Sequence, residues 1–251
     1  TALSEAITVG DTLIVQAGAY TRYVGELTVV RTDAGGWAMD AYTLHELDDS
    51  IVGDPAITAM VDGFIEALDE GPLAELGTSF DQPVLHIGGD IGVNLCEEST
   101  LGNFVTDAFR YTLNRYSLED PIVAAFESQG VIRDDFIAGA SGIEAFSDVF
   151  RVMPLGIGLD DVPGYGLVSF YVTPRDLKST CEILGSIVPL EGCDYWVEPS
   201  GLRCHIDRDK SFGNTARRVE LWQDDTWVEL DLTDNETLHH VAVDSYVASL
   251  M

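Results

Sequence analysis

The sequence predicts a mixed α+β fold, built of α/β layers, and three observations carry that expectation. Residues 7 to 47 alternate apolar and polar in the manner of strands. Three segments, from Asp54, Ser99 and Thr173, open on capping residues and then run with helical apolar spacing. From about Asp194 onward the chain reads as short strands separated by turns. Strands, then helices, then strands again, with no internal repeat, is the pattern of mixed layers around packed cores.

In order, ITVGDTLIVQAGAY, YVGELTVVRTD and GGWAMDAYTLHEL are three strand segments punctuated by Gly and Asp. DPAITAMVDGFIEALDE places Asp54 at an N-cap and Pro55 at the first helical position. The Gly- and Pro-punctuated stretch 71–83 marks a junction. VLHIGGDIGVNL is a strand with a glycine break. CEESTLGNFVTDAFRYTLNRY is a helix capped by Ser99 or Thr100, with Leu101, Phe104, Val105, Ala108, Phe109, Thr112 and Leu113 on one face. PIVAAFES is a short apolar strand and GVIRDDFIAGA a turn. SGIEAFSDVFRVMP is expected to be a short helix running into an extended end at Pro154. LVSFYVT is a strand. TPRDLKSTCEILGSIV is a helix with Thr173 as cap and Pro174 behind it. The last strands are YWVEPSG, LRCHID, RRVELWQ, TWVELDL and HHVAVDSYVA.

Charge narrows the function classes. The 251 residues carry 43 Asp plus Glu against 13 Lys plus Arg, a formal net charge of −30. Lys178 and Lys210 are the two lysines. A dispersed acidic surface argues against nucleic acid and anionic membranes, because phosphate binding needs clustered cations. Its self-repulsion is relieved by salt. Lysine poverty with dispersed Asp fits adaptation to high salt; an ordinary acidic secreted protein is the other reading. No run of about 18 apolar residues is present, so no transmembrane helix is expected. The N-terminus has neither a basic n-region nor an initiating Met, and reads as an internal segment rather than a signal peptide.

The four cysteines, Cys96, Cys181, Cys193 and Cys204, lack C-x-x-C spacing, which argues against a zinc ribbon. Cys193 and Cys204 flank what reads as two strands about a Pro-Ser-Gly turn. That leaves a cross-hairpin disulfide or buried free thiols. The five histidines, 45, 86, 205, 239 and 240, have no H-x-H or H-E-x-x-H partner; a two-metal centre needs clustered Asp, His and Asn, and this chain is expected to hold no metal itself. Asp160–Asp161 and Asp224–Asp225 are adjacent pairs in expected turns, a poor arrangement for convergence on one substrate atom.

Five segments in this order, GDTLIVQAGAYTRYVGELTVV, ESTLGNFVTDAFR, QGVIRDDFIAG, VFRVMPLG and HHVAVDSYVA, resemble the 5′-nucleotidase family of two-domain metallophosphoesterases. The resemblance implies that residues 1–50 are closing strands of a metallophosphoesterase domain, a partial sandwich edge. It makes 51–83 a linker helix and junction, and 84–251 the C-terminal, substrate-recognition domain. It also implies a catalytic half with two divalent metal ions of the Zn, Mn or Mg type, a nucleotide or related phosphate ester as substrate, and an extracellular or periplasmic location. The family has a Gly-His-x-His element just before a segment like residues 1–30 and a Gly-Gly-Asp-Gly element just after one like VAVDSYVAS. The chain is expected to be short at both ends and inactive alone.

By the same resemblance, Asn-Gly-Gly-Gly-Ile-Arg corresponds to SQGVIR. Arg133 is then the expected substrate contact, a guanidinium able to clamp an anionic oxygen bidentately; an ion pair with Asp134 or Asp135 is the competing reading. Ser128, Gln129 and Gly130 complete the loop, Leu155 stands where the family stacks a Phe ring on the base, and Asn103 belongs to the Leu-Gly-Asn helix start. Glu97 stands where the family often has an arginine. Losing the aromatic at Leu155 removes stacking worth about 1–3 kcal/mol per base. A diverged, non-catalytic binding or structural module is therefore the alternative to the phosphoesterase reading.

Overall fold

The computed structural model describes residues 2–19, 21–48, 50–116, 119–159 and 161–250. Asp160 of the first Asp-Asp pair lies outside them. The chain divides into two units, Thr1–Glu66 and Ala67–Met251.

The first unit holds two hairpins. Strands β1 (Ile7–Val9) and β2 (Thr12–Ile14) pair antiparallel across a turn at Gly10, whose φ of +60° suits a residue without Cβ. Strands β3 (Tyr23–Arg31) and β4 (Trp37–Glu46) pair from Tyr23↔Glu46 to Arg31↔Trp37, with a bulge between Thr28 and Val29. Helix α1 (Pro55–Glu70) starts where expected: Asp54 Oδ1 accepts Ala56 N–H at 2.8 Å and Ile57 N–H at 3.2 Å, with Pro55 in the first turn. Its apolar stripe of Ile57, Met60, Val61 and Phe64 is exposed, as are Val24, Leu27, Val30 and Trp37 of the long hairpin.

The second unit is organised on a four-stranded sheet. After α2 (Pro72–Leu76), β5 (Pro83–His86) and α3 (Thr100–Arg115) come β6 (Ala124–Ser128), β7 (Ile143–Ala145), α4 (Phe146–Val152) and β8 (Leu167–Val172). A nearly continuous helical run follows: α5 (Pro174–Glu182), a π-helical turn at Ile183–Ile187, and α6 (Val188–Glu191). Strands β9 (Val197–Ser200), β10 (Leu202–Ile206), β11 (Ala216–Gln223), β12 (Thr226–Glu229) and β13 (His239–Asp244) precede a final short helix, α7 (Ser245–Ser249). The main sheet has the order β8-β13-β6-β9, with β13 parallel to β6 and the other pairs antiparallel. A three-stranded sheet, β10-β11-β12, and the pair β5-β7 complete it.

Strand alternation sends the two faces of the main sheet to different cores. Ala124, Phe126, Val241 and Val243 pack with Leu177 and Cys181 of α5 and with Leu202, Val219 and Leu221 of the smaller sheet. Ala125 and Ala242 pack with Ile122 against Phe109 and Leu113 of α3. Burial of a side chain such as Phe126 or Leu177 contributes about 1.5–3 kcal/mol. A third cluster joins Leu101 and Val105 of α3 to Ile87, Ile132, Phe136 and Val152. No helix among the described residues is long and apolar enough to cross a membrane.

Three expectations are corrected. The disulfides are Cys96–Cys193 and Cys181–Cys204, not Cys193–Cys204, and no described cysteine is free. The reason is topological: β9 and β10 are not a hairpin. At Gly201, φ +69°, the chain leaves the edge of the main sheet, and β10 pairs with β11 instead. Second, the segment from Ser141 is not helical from its start: Ile143–Ala145 pairs with β5 first, and α4 begins only where Asp148 Oδ2 accepts Ala145 N–H at 2.8 Å. Third, α3 packs inward with Leu101, Val105, Phe109 and Leu113 of the expected face and with Gly102 and Thr106, while Phe104, Ala108 and Thr112 are exposed. Phe104 is 40% exposed and meets Phe136 edge-on at 6.0 Å between ring centroids.

Candidate functional site

The SQGVIR loop follows directly from β6, and its backbone is fastened to the turn before β9. Gln129 N–H donates to Trp196 O at 2.8 Å and Gly130 N–H to Asp194 O at 3.0 Å. The Ser128 hydroxyl donates to the same Asp194 carbonyl. A Cβ on Gly130 would stand 2.9 Å from Asp194 O, so close backbone approach is what requires glycine there.

Arg133 is exposed, with its N–H on Val152 O at 2.8 Å and Nη1 on Gly130 O at 2.9 Å. Asp134 takes Arg151 Nε at 2.9 Å, and Asp135 Oδ1 accepts Val93 N–H at 3.2 Å. Leu155 is half-buried, three residues beyond the carbonyl of Val152.

Gln129 has turned inward. It is buried, and its Nε2 donates towards Asn94 O at 2.9 Å, Glu97 O at 2.8 Å and Glu198 Oε1 at 2.7 Å, while its Oε1 accepts Cys96 N–H at 3.2 Å. The side chain thus ties the Asn94–Glu98 loop to the sheet, beside the Cys96–Cys193 disulfide. Ser99 extends the network: its Oγ donates to Glu198 Oε1 at 2.7 Å and accepts Gly102 N–H at 3.0 Å as the cap of α3. Asn103 donates to Glu98 Oε1 at 2.9 Å. The structure therefore brings Ser128, Gln129 and Gly130 together with the start of α3. Arg133 is exposed at the end of the same loop, and Leu155 is half-buried beyond α4.

A groove of about 690 Å³ runs beside the α3 start, with Glu97, Glu98, Asn103 and Asp107 on one wall and Trp196, Arg203 and Trp227 on another. The Arg203 guanidinium lies 4.0 Å over the Trp227 ring. No group of three or more His, Cys, Asp or Glu side chains among the described residues is placed to hold a metal ion. Asp224 and Asp225, both at positive φ, are the turn of the β11–β12 hairpin.

Sequence reading missed a row of buried carboxyls beneath this loop. Glu198 and Glu127 are opposite each other across β9 and β6, and both are completely buried. Asp244 closes β13 on the other side of β6 and is 1% exposed. Burial pushes the Glu127 carboxyl up to about 9, with the Asp244 charge adding to it. Burial also raises Asp244, against the Val247 N–H it caps, and raises Glu198 against its bonds from Gln129 and Ser99. The signal was present: AAFES and VAVD each put a carboxylate on the face set by a buried alanine two residues earlier.

No protein-family model and no curated protein matches the sequence. Solved structures do. The 5′-nucleotidase precursor of Thermus thermophilus superposes on 98% of this chain with a TM-score of 0.68 at 20% identity, using 45% of its own length. The sulfate thiohydrolase SoxB of the same species gives 0.63 at 16% identity over 97% of this chain and 40% of its own. The NAD nucleotidase of Haemophilus influenzae gives 0.53 at 16% identity over 94% and 46%. The chain spans less than half the length of each of these proteins, and nearly all of it has the fold of that portion of the 5′-nucleotidase-like proteins.

Proposed function

We propose that this chain is the C-terminal, substrate-recognition part of a secreted 5′-nucleotidase-like, metal-dependent phosphoesterase. The observation that carries the reading is the match of 98% of this chain to 45% of a 5′-nucleotidase precursor, so that one portion of that protein accounts for nearly everything here. In this reading residues 1–50 are closing strands of a metallophosphoesterase domain, 51–83 a linker and 84–251 the recognition domain. The catalytic chemistry belongs to a partner domain holding two divalent ions, which would activate water and bind phosphoryl oxygens. Arg133 presents the cation for an anionic substrate group. Ser128, Gln129 and Gly130 hold its loop, and Asn103 and Leu155 border the same region. Two disulfides support an oxidising, extracellular or periplasmic setting, and the −30 net charge supports a salt-rich one.

Two observations favour the alternative of a non-catalytic module. Gln129 commits its amide to internal bonds, and Glu97 adds an anion to the α3 start where an anionic substrate would need a cation. One assay separates the two. The longer protein encoded around this segment is purified and offered 5′-mononucleotides, NAD and UDP-sugars with Mn²⁺ or Zn²⁺. Turnover abolished by EDTA, with a raised KM in Arg133→Ala, supports the phosphoesterase. Absence of an upstream metallophosphoesterase frame, or turnover indifferent to Arg133, rejects it.

A further inference from the structure

Three buried carboxyls stand side by side on the α3-facing side of the main sheet. Glu198 and Glu127 are direct cross-strand partners. The parallel ladder of β13 on β6 pairs Val241↔Ala124 and Ala242↔Ala125, and its register continued two residues brings Asp244 beside Glu127. Relative exposures are 0%, 0% and 1% for Glu198, Glu127 and Asp244. Like charges directly opposite across strands are destabilising even at a surface, and burial weakens the screening that bulk solvent gives there.

The hydrogen bonding is unequal along the row. Glu198 is served by Ser99 and Gln129. Glu127 Oε1 accepts Ser128 N–H at 2.6 Å, and Asp244 Oδ1 accepts Val247 N–H at 2.6 Å, capping α7. The second oxygens, Glu127 Oε2 and Asp244 Oδ2, receive nothing from any N–H or hydroxyl among the described residues. Each of the two buried carboxyls thus keeps an oxygen without a donor, on residues that the β6–β13 register sets side by side. Carboxylate oxygens are acceptors only, so a proton held on one of them is what would let the pair bond to each other.

Nothing cationic among the described residues faces the row from any element packed on it. The residues α3 turns inward, Leu101, Gly102, Val105 and Thr106, carry no charge. Gln129 offers an amide; β8 sets Leu167 opposite Asp244; α7 begins with Ser245 and Tyr246. The nearest further charges are anions, Glu98 acting on Glu198 and Asp107 bonded to Ser200 next along β9. Arg110 and His240 lie at the opposite end of β6, on Val123 O and Asp120 O.

We propose that Asp244, Glu127 and Glu198 form a proton-holding latch: a proton shared between Glu127 and Asp244 keeps β6 and β13 closed at their C-terminal ends, and its loss on alkalinisation frees α7. The weak point is set by topology, since the β6–β13 ladder stops at Ala125 and Ala242, before the carboxyls. Deprotonation puts two anions at the unladdered end, and α7, one short helix capped by one of them, is what gives way. The inference does not depend on the phosphoesterase reading.

The test is hydrogen exchange of the Ser245–Ser249 amides in the full chain, corrected for intrinsic base catalysis, from about pH 6 to 10.5 in molar KCl, a window that brackets the raised Glu127 carboxyl. Protection of that segment falls at least about tenfold through a transition near pH 9, while amides of Val241–Val243 stay protected. Glu127→Gln removes the transition. Asp244→Asn, which leaves a single carboxyl at that end, removes it as well and keeps the test decisive if Glu127→Gln does not fold; Glu198→Gln, which takes away the anion across β9, moves the midpoint to lower pH. Glu144→Gln, a buried carboxyl on β7, leaves the midpoint unchanged. A flat wild-type profile, or one that the three row variants do not move, overturns the latch.

Discussion

Gly102 and Glu198 are in van der Waals contact so close that a methyl group on Gly102 would lie 2.3 Å from Glu198 Cγ and Cδ. This contact lets the first turn of α3 rest directly on β9, and it explains a glycine in a helix, where alanine is ordinarily better by about 1 kcal/mol.

Gly102→Ala therefore destabilises the protein although it improves helix propensity. The added carbon displaces Glu198 from Ser99 Oγ and Gln129 Nε2, at a net cost of about 2–4 kcal/mol from overpacking and lost buried bonds. Urea denaturation measures it; an unchanged or higher midpoint contradicts the packing described.

The two disulfides close loops of very different size, 97 and 23 residues. On a chain-entropy basis their loss costs about 4.7 and 3.4 kcal/mol. Cys96→Ser with Cys193→Ser is expected to be the more damaging pair, and it also releases the loop that Gln129 holds. Peptide mapping without reduction provides the connectivity. A Cys193–Cys204 peptide would restore the hairpin that the sequence suggested.

That error shows where local reading stops. The Ser99 and Thr173 caps were legible because their chemistry lies within four residues: Asp176 N–H donates to Thr173 Oγ1 at 3.3 Å and Asp176 Oδ2 accepts Thr173 N–H at 2.9 Å. Of the expected Pro199-Ser200-Gly201 turn only Gly201 is a break, since Pro199 and Ser200 pair with β6, and whether the next strand returns to its neighbour or joins another sheet is decided by β11, many residues on. The SQGVIR loop could be placed from sequence because its residues are contiguous. The inward turn of Gln129 could not, since its acceptors come from residues 94, 97 and 198. The carboxyl row was hidden by composition: among 43 acidic residues, the three of the row do not stand out.

Glu182 is a buried acid with the opposite sign. Burial alone would raise its carboxyl, but Lys178 Nζ at 2.6 Å, Thr215 Oγ1 and N–H, and Ala216 N–H together bring it down to about 2. Its contribution is thus fully present above about pH 4.5 and is lost as pH falls through about 2. Glu182→Gln, which loses the charge that joins α5 to β11, costs about 2–4 kcal/mol at about pH 7. The difference from wild type shrinks as the pH approaches that of the lowered carboxyl. A pH-independent gap in denaturation midpoint would assign the effect to shape alone.

Salt tests the surface. At a net charge of −30 the folded chain repels itself, and the range of that repulsion shortens from about 30 Å at 0.01 M to about 3 Å at 1 M salt. The expected Tm rises steeply with KCl at low concentration and levels off once the screening length is shorter than the spacing of surface carboxylates. That curvature separates screening from salting-out, which strengthens apolar burial in proportion to an excluded salt such as sulfate. The comparison is therefore KCl against Na₂SO₄ at matched ionic strength, by differential scanning fluorimetry. Coinciding curves that saturate below about 1 M assign the stabilisation to charge. A Tm that is flat in KCl removes the high-salt reading, and a rise in sulfate alone assigns what stabilisation there is to the cores.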